Sequence, residues 1–105
     1  MKVFGLKTCD TCRKTMKSLP DAVFVDVRSE GVPHEVLKQA LAKFGDALVN
    51  VRSTTWRGLD LEARQLPHLE LLKTYPTLMK RPLVVTESSL TLGWSKDVQA
   101  TLGVA

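Results

Sequence analysis

Cys9 and Cys12 are the only cysteines among the 105 residues. They form a CxxC pair between an apolar, strand-like segment, Val3-Phe4-Gly5-Leu6, and a helix-like run beginning near Thr11. In an intracellular protein this placement is the sequence cue for a redox pair. A thiol reacts as its thiolate, and a cysteine at a helix N-terminus meets unsatisfied backbone N–H groups and the positive end of the helix dipole, both of which favour the anion. Cys9 takes that position. Lys7, Arg13 and Lys14 add positive charge nearby, whereas Asp10 either opposes it or serves as the helix N-cap. The net expectation is a lowered pKa at Cys9. Cys12, one turn along and less exposed, reads as the resolving thiol that closes a disulfide once Cys9 has been substituted.

Two other uses of a CxxC pair compete. A structural zinc site needs two more ligands, and the two histidines, His34 and His68, lack the short paired spacing of zinc fingers and ribbons. No metal is expected. An inert pair is the other reading, because free cysteine packs as a small hydrophobe, and exposure of the first thiol discriminates.

The elements that must position the pair follow from periodicity and punctuation. Lys2–Leu6 suits a buried strand, and Thr11–Leu19 a helix with Cys12, Met16 and Leu19 on one face. Pro20-Asp21 ends it, and residues 22–27 form a second strand. Pro33 opens a helix at a favourable first-turn position, with Leu37, Ala40, Leu41 and Phe44 at helical spacing and Gly45 as its stop. A polar connection carries Arg52, Ser53, Thr54, Thr55, Trp56 and Arg57. Arg64–Lys73 makes a further helix, with Pro67 in its first turn. Residues 83–86 and 89–92 read as a hairpin across Glu87-Ser88, and Ser95 caps a last helix, Lys96–Thr101. The order is β-α-β-α-α-β-β-α.

Hydrophobic content of 44% and charged content of 25% describe one globular domain, residues 1–105, large enough to bury a core without disulfides. No apolar run reaches membrane-spanning length and no signal-peptide pattern opens the chain, so a cytoplasmic monomer is expected. A disulfide there would be transient and functional. The net charge of +4 is dispersed, with no long basic run, and argues for a solvated surface rather than direct nucleic-acid binding. Arg52, Arg57, Lys80 and Arg81 could nonetheless gather with the basic residues around Cys9 into an anion-attracting surface.

With CxxC after the first strand and Arg81-Pro82 before the third, the order resembles a thioredoxin-like fold. It is an α/β fold with a mixed four-stranded sheet and a helical insertion between its βαβ and ββα halves. In such folds a cis-proline before the third strand lies against the reactive thiol. Pro82 stands at that position, and X-Pro bonds alone adopt cis cheaply. A trans proline at a strand's first position is equally compatible with the sequence.

Three stretches, KTCDTCRKT, VRSTTWRGLD and KRPLVVTESSLTLGWS, resemble the ArsC/Spx family over essentially the full length. That family includes glutaredoxin-coupled arsenate reductases, the redox-responsive regulator Spx and small YffB-type proteins thought to be glutathione-dependent thiol reductases. The resemblance places Cys9 on the reactive cysteine, Arg13 on an arginine one turn later and Arg81-Pro82 on an Arg-Pro pair. Arsenate reductases of this type hold their oxyanion with three arginines; the first is Asn50 here, with Arg52 two positions away, and the last is Trp94. Losing two such contacts weakens oxyanion binding by several kcal/mol, at about 1.5–3 kcal/mol per charged hydrogen bond. The LGWS stretch resembles the YffB-type LGFS, and CxxC with the RST-type stretch resembles Spx.

The resemblance therefore implies thiol–disulfide chemistry with no bound cofactor, and glutathione or another small thiol as co-substrate. Cys9 is the expected nucleophile and Cys12 the resolving thiol, with Arg13 and Arg81 holding the thiolate or a substrate carboxylate. Lys7, Arg52, Arg57, Pro82 and Trp94 are candidate substrate contacts. The expected partner is a small thiol or glutaredoxin-type reductant, or RNA polymerase if the chain acts as Spx does. Arsenate reduction is the third alternative.

Overall fold

Short consecutive runs of Val, Phe and Leu make the first three strands, and their pairing order decides which loops meet. The computed structural model describes residues 1–104. Strand β1 (Lys2–Gly5) runs parallel to β2 (Val23–Asp26) with Val3 opposite Phe24, and antiparallel to β3 (Leu83–Val85) with Val3 opposite Val84. Strand β4 (Leu90–Leu92) pairs antiparallel with β3, giving the order β2-β1-β3-β4. A parallel pair needs a crossover, and helix α1 (Asp10–Ser18) supplies it. The result is the thioredoxin-like mixed sheet, with the segment between β2 and β3 as a helical insertion. The chain divides into two compact units: Met1–Val27 with the segment beginning at Arg81, and Arg28–Lys80.

In the first unit Val3, Val84 and Leu19 form a buried cluster, against which Met16, Phe24, Trp94 and Leu102 pack. The β3–β4 turn is closed by Thr86, whose backbone N–H donates to the Ser89 carbonyl at 2.9 Å and whose hydroxyl accepts the Ser89 N–H at 2.8 Å. The last helix, here α7 (Lys96–Thr101), is capped by the Ser95 hydroxyl, which accepts the Val98 N–H at 3.2 Å.

A buried hydroxyl in this unit lacks compensation among the described residues. The Thr91 hydroxyl, on β4, is buried and meets no hydrogen-bond partner among the described residues. Burying an unpaired hydroxyl costs about 1–3 kcal/mol. Thr91→Val, nearly the same shape, is therefore expected to raise unfolding free energy by about 1 kcal/mol in urea melts; a loss of stability would show that the hydroxyl is satisfied in solution.

The second unit holds five α-helices' worth of chain, beginning with α2 (Val27–Glu30), whose first residue closes the first unit, and α3 (His34–Phe44). It continues through a 3-10 turn (Gly45–Leu48), α4 (Thr54–Arg57), α5 (Leu61–Arg64), α6 (His68–Thr74) and a second 3-10 turn (Pro76–Leu78). Helices α3 and α6 contact each other, and Leu37, Ala40, Leu48, Leu71, Leu72, Leu78 and Met79 are buried. A bridge joins Val49 to Met79, flanked by Asn50 N–H to Leu78 O and Lys80 N–H to Leu48 O, both 2.8 Å.

Three local readings change. The helix expected over Arg64–Lys73 is two helices, because Pro67 is the N-cap of α6 rather than a first-turn residue; proline turns the residue before it away from helical conformation. Asp60 caps the earlier piece, accepting the Ala63 N–H at 2.8 Å. Pro33 likewise sits at the N-cap of α3 with extended ψ of 143°. The polar connection around Trp56 contains α4, started by Ser53, whose hydroxyl accepts the Trp56 N–H at 3.1 Å. No helix of the described residues is long and apolar enough to cross a membrane.

Candidate active site

The loop from Leu6 to Thr8 delivers the chain from β1 to α1, and its closing turn, Cys9 N–H to Leu6 O at 3.0 Å, sets Cys9 as the N-cap of that helix. The cap is therefore Cys9 and not Asp10. Asp10 is the first helical residue and pairs with the Arg13 guanidinium at 3.3 Å, so its charge is partly matched by Arg13.

Cys9 is half-buried and Cys12 is 1% exposed; both are free thiols. Their environments drive them apart. Partial burial works against the Cys9 thiolate, but the backbone N–H of Cys12, the Cys12 thiol and the Arg81 guanidinium together outweigh it, and the Cys9 pKa is lowered. The Cys12 N–H does not make a formal capping bond to the sulfur; its dipole still favours the anion. Cys12 is pushed up to about 12, first by burial and then by the Cys9 thiol and its charge, with the Leu6 backbone opposing. The two environments thus favour ionisation of Cys9 and oppose that of Cys12.

Arg81 thus joins the two cysteines, and the Arg81–Pro82 bond that follows it is cis. Arg13 is anchored along the same loop: its Nε donates to the Lys7 carbonyl at 3.0 Å and its Nη1 to Asp10. The Lys7 backbone N–H donates to Asp26 Oδ2 at 3.3 Å, tying the loop to the end of β2. Trp94 is half-buried and packs against the Val3–Leu19–Val84 cluster, and its carbonyl accepts the Gln99 amide at 3.1 Å.

Arg52 and Arg57 belong to the second unit. Arg52 and Lys80, with Ala47, Val49, Asn50 and Val51, line a concavity of about 570 Å³. Asn50 Oδ1 accepts the Arg52 N–H at 3.0 Å and so holds its own backbone turn. Arg57 is exposed on α4. Arg64, which periodicity leaves as an ordinary helical residue, stacks over Trp56 at 5.2 Å and donates to its carbonyl at 3.1 Å. His34 is exposed, and His68 pairs with Asp46 at 3.3 Å. Among the described residues no three His, Cys, Asp or Glu side chains gather as a metal site.

Sequence reasoning overlooks Gly5. A Cβ on this strand residue would overlap the Cys12 sulfur and lie 3.2 Å from the Cys12 Cβ. Its sequence signal is a glycine inside a strand, which often marks a close approach by another part of the chain.

Comparison with known proteins agrees with this geometry. An uncharacterized protein of Haemophilus influenzae is 39% identical, covering 93% of this chain and 95% of that protein. The global transcriptional regulator Spx of Enterococcus faecalis is 28% identical, covering 92% of this chain and 81% of the regulator. The solved structure of the YffB protein superposes with a TM-score of 0.84 at 28% identity, covering 95% of this chain and 96% of that one. The model of the ArsC family matches residues 4–102. With that match running from β1 into the end of α7, across both cysteines and the Arg81-Pro82 pair, the chain belongs to the ArsC family.

Proposed function

We propose that this protein is a cytoplasmic thiol–disulfide oxidoreductase that uses Cys9 as nucleophile, Cys12 as resolving thiol and a small thiol such as glutathione as reductant. The observation that carries this reading is the placement of the two thiols: Cys9 is half-buried at the N-cap of α1 beside Arg81, which favours its thiolate, and Cys12 is buried, which disfavours ionisation. The Cys9 thiolate attacks one sulfur of a substrate disulfide, forming a mixed disulfide and expelling the other sulfur as a thiolate. Cys12 then gives its proton to a departing thiolate and attacks the Cys9 sulfur. That step releases the second substrate thiol and leaves a Cys9–Cys12 disulfide. Two molecules of small thiol reduce this disulfide and leave as their own disulfide. Arg81 stabilises the Cys9 anion, and Arg13 and Lys7 offer cations to a carboxylate on the incoming thiol. Pro82, which follows Arg81 in the chain, and Trp94 are the further candidate substrate contacts of the first unit.

Exposure of the Cys12→Ser protein to glutathione disulfide, followed by peptide mass mapping, tests the reading. A single glutathione adduct on Cys9 is expected, whereas the wild-type protein should release that glutathione as its internal disulfide forms. Adduct only at Cys12, or none at neutral pH, would remove the mechanism.

A second reading rests on the similarity to Spx over 92% of this chain. In it, oxidation of Cys9 and Cys12 gates a surface for RNA polymerase. Purified polymerase should then bind the oxidised and reduced proteins with different affinities, and equal or undetectable binding to both would discard it.

A further inference from the structure

Beside α1, on the β2 side, lies a cleft of about 460 Å³ whose lining includes the buried Cys12 and which shares Lys7 and Arg13 with the thiol-exchange site, so its use rests on that reading of the site. Its walls are Leu6, Met16 and Phe24, and Lys7, Arg13 and Lys17 surround them. From this arrangement we infer a docking site for an acidic segment of another protein, bound in extended form with one bulky apolar side chain in the cleft and carboxylates on either side of it.

The volume is within the range of specific ligand sites, roughly 300–1,000 Å³, and suits one large side chain with room for adjustment. Met16 favours such a role, since an unbranched thioether repacks around different apolar groups. The three cations select the flanking charge. Arg13 is already fixed by its bonds to the Lys7 carbonyl and Asp10, and its Nη2 has no partner among the described residues. It therefore offers a planar donor to a carboxylate with little further loss of rotamer freedom. Two acids stand near the same residues: Asp10 is paired with Arg13, and Asp26 accepts the Lys7 backbone N–H. Lys7 and Lys17 remain as exposed cations, with no ion pair among the described residues.

The sheet favours a peptide over a lipid surface. Phe24 belongs to β2, the outer strand, which has no described strand on its far side, and its neighbour Val23 is 58% exposed. An extended segment can lie along such an edge while its side chain enters the adjoining cleft. A concave cleft of this size takes a single side chain, whereas a membrane surface would call for a protruding apolar face.

The test is fluorescence anisotropy of a labelled heptapeptide, one phenylalanine flanked on each side by glutamates, measured on the full-length Cys9→Ser protein so that thiol exchange plays no part. Saturable binding is expected in low-salt buffer, with a Kd on the order of 100 μM. It should weaken about fivefold in Lys17→Glu and disappear when serine replaces the phenylalanine or lysines replace the glutamates. No saturation by about 1 mM peptide, equal binding of the three peptides, or an unchanged Kd in Lys17→Glu would each overturn the site. Binding to phosphatidylglycerol vesicles without binding to the peptide would overturn it in favour of a lipid surface.

Discussion

Replacing Gly5 with alanine is expected to destabilise the protein by about 1–3 kcal/mol, the range for forcing an extra methyl into a packed interior. Glycine is a poor strand residue, and an alanine tolerated at the same backbone angles stabilises by about 0.4–1 kcal/mol through the unfolded chain. Here the steric term is larger, because the new Cβ overlaps the Cys12 sulfur and lies 3.2 Å from the Cys12 Cβ. The sulfur is buried, so either it must turn away from the new methyl or the start of α1 must shift. Thermal and urea melts of four proteins check this: wild type, Gly5→Ala, Cys12→Ala and the double variant. The double variant should be more stable than Gly5→Ala alone, since removing the sulfur vacates the space the methyl needs. Strict additivity would mean that the two residues do not compete for space. Native-state alkylation gives a second readout: Cys12 should react faster in Gly5→Ala as the helix start is displaced outward.

Replacing Arg81 with methionine is expected to slow alkylation of Cys9 about tenfold at pH 7 while leaving the rate nearly unchanged at high pH. Partial burial raises the Cys9 pKa, and Arg81 is among the groups that reverse this effect. Without the guanidinium, the pKa rises, the thiolate fraction at neutral pH falls, and the reaction slows in proportion because the thiolate is the nucleophile. Well above the shifted pKa both proteins are fully ionised and their rates converge. A lowered rate at every pH would instead mean that Arg81 governs access to the sulfur.

Stability follows the same signs. Cys9 has a depressed pKa, so its contribution is present above the unfolded thiol pKa and is lost as pH falls through the folded value. Cys12 acts oppositely: the unfolded thiol ionises near 9.0 while the folded one holds its proton to about 12, and the fold loses stability as pH climbs across that window.

The cysteine pair and its place after the first strand were legible in the residues themselves, because a CxxC pair between an apolar run and a helix start is a local signal. So were the β3–β4 hairpin across Glu87-Ser88 and the Ser95 cap of α7, each closed by hydrogen bonds within about four residues. Pro67 shows the limit of such signals: its position inside a helical period was evident, but not that it would divide the helix and cap the second piece. The charge beside Cys9 was only partly legible from neighbouring residues, and Arg81 was tied to the thiol through the family resemblance alone. Lys7, Arg13 and Lys14 are near in sequence, yet Arg13 is engaged with Asp10 and the Lys7 carbonyl, and the cation that acts on the thiol is Arg81, 72 positions away. Only the antiparallel pairing of β1 with β3 brings Arg81 to the start of α1. The buried thiol against Gly5 also depends on packing, because a glycine's missing Cβ has meaning only when something occupies its space. Local hydrogen bonding and side-chain periodicity set the elements and identified the reactive pair. The Cys12 N–H and thiol act on Cys9 within the motif, but the burial of both sulfurs and the Arg81 guanidinium were decided by tertiary packing, since burial and Coulomb interactions depend on distance through space and not along the chain.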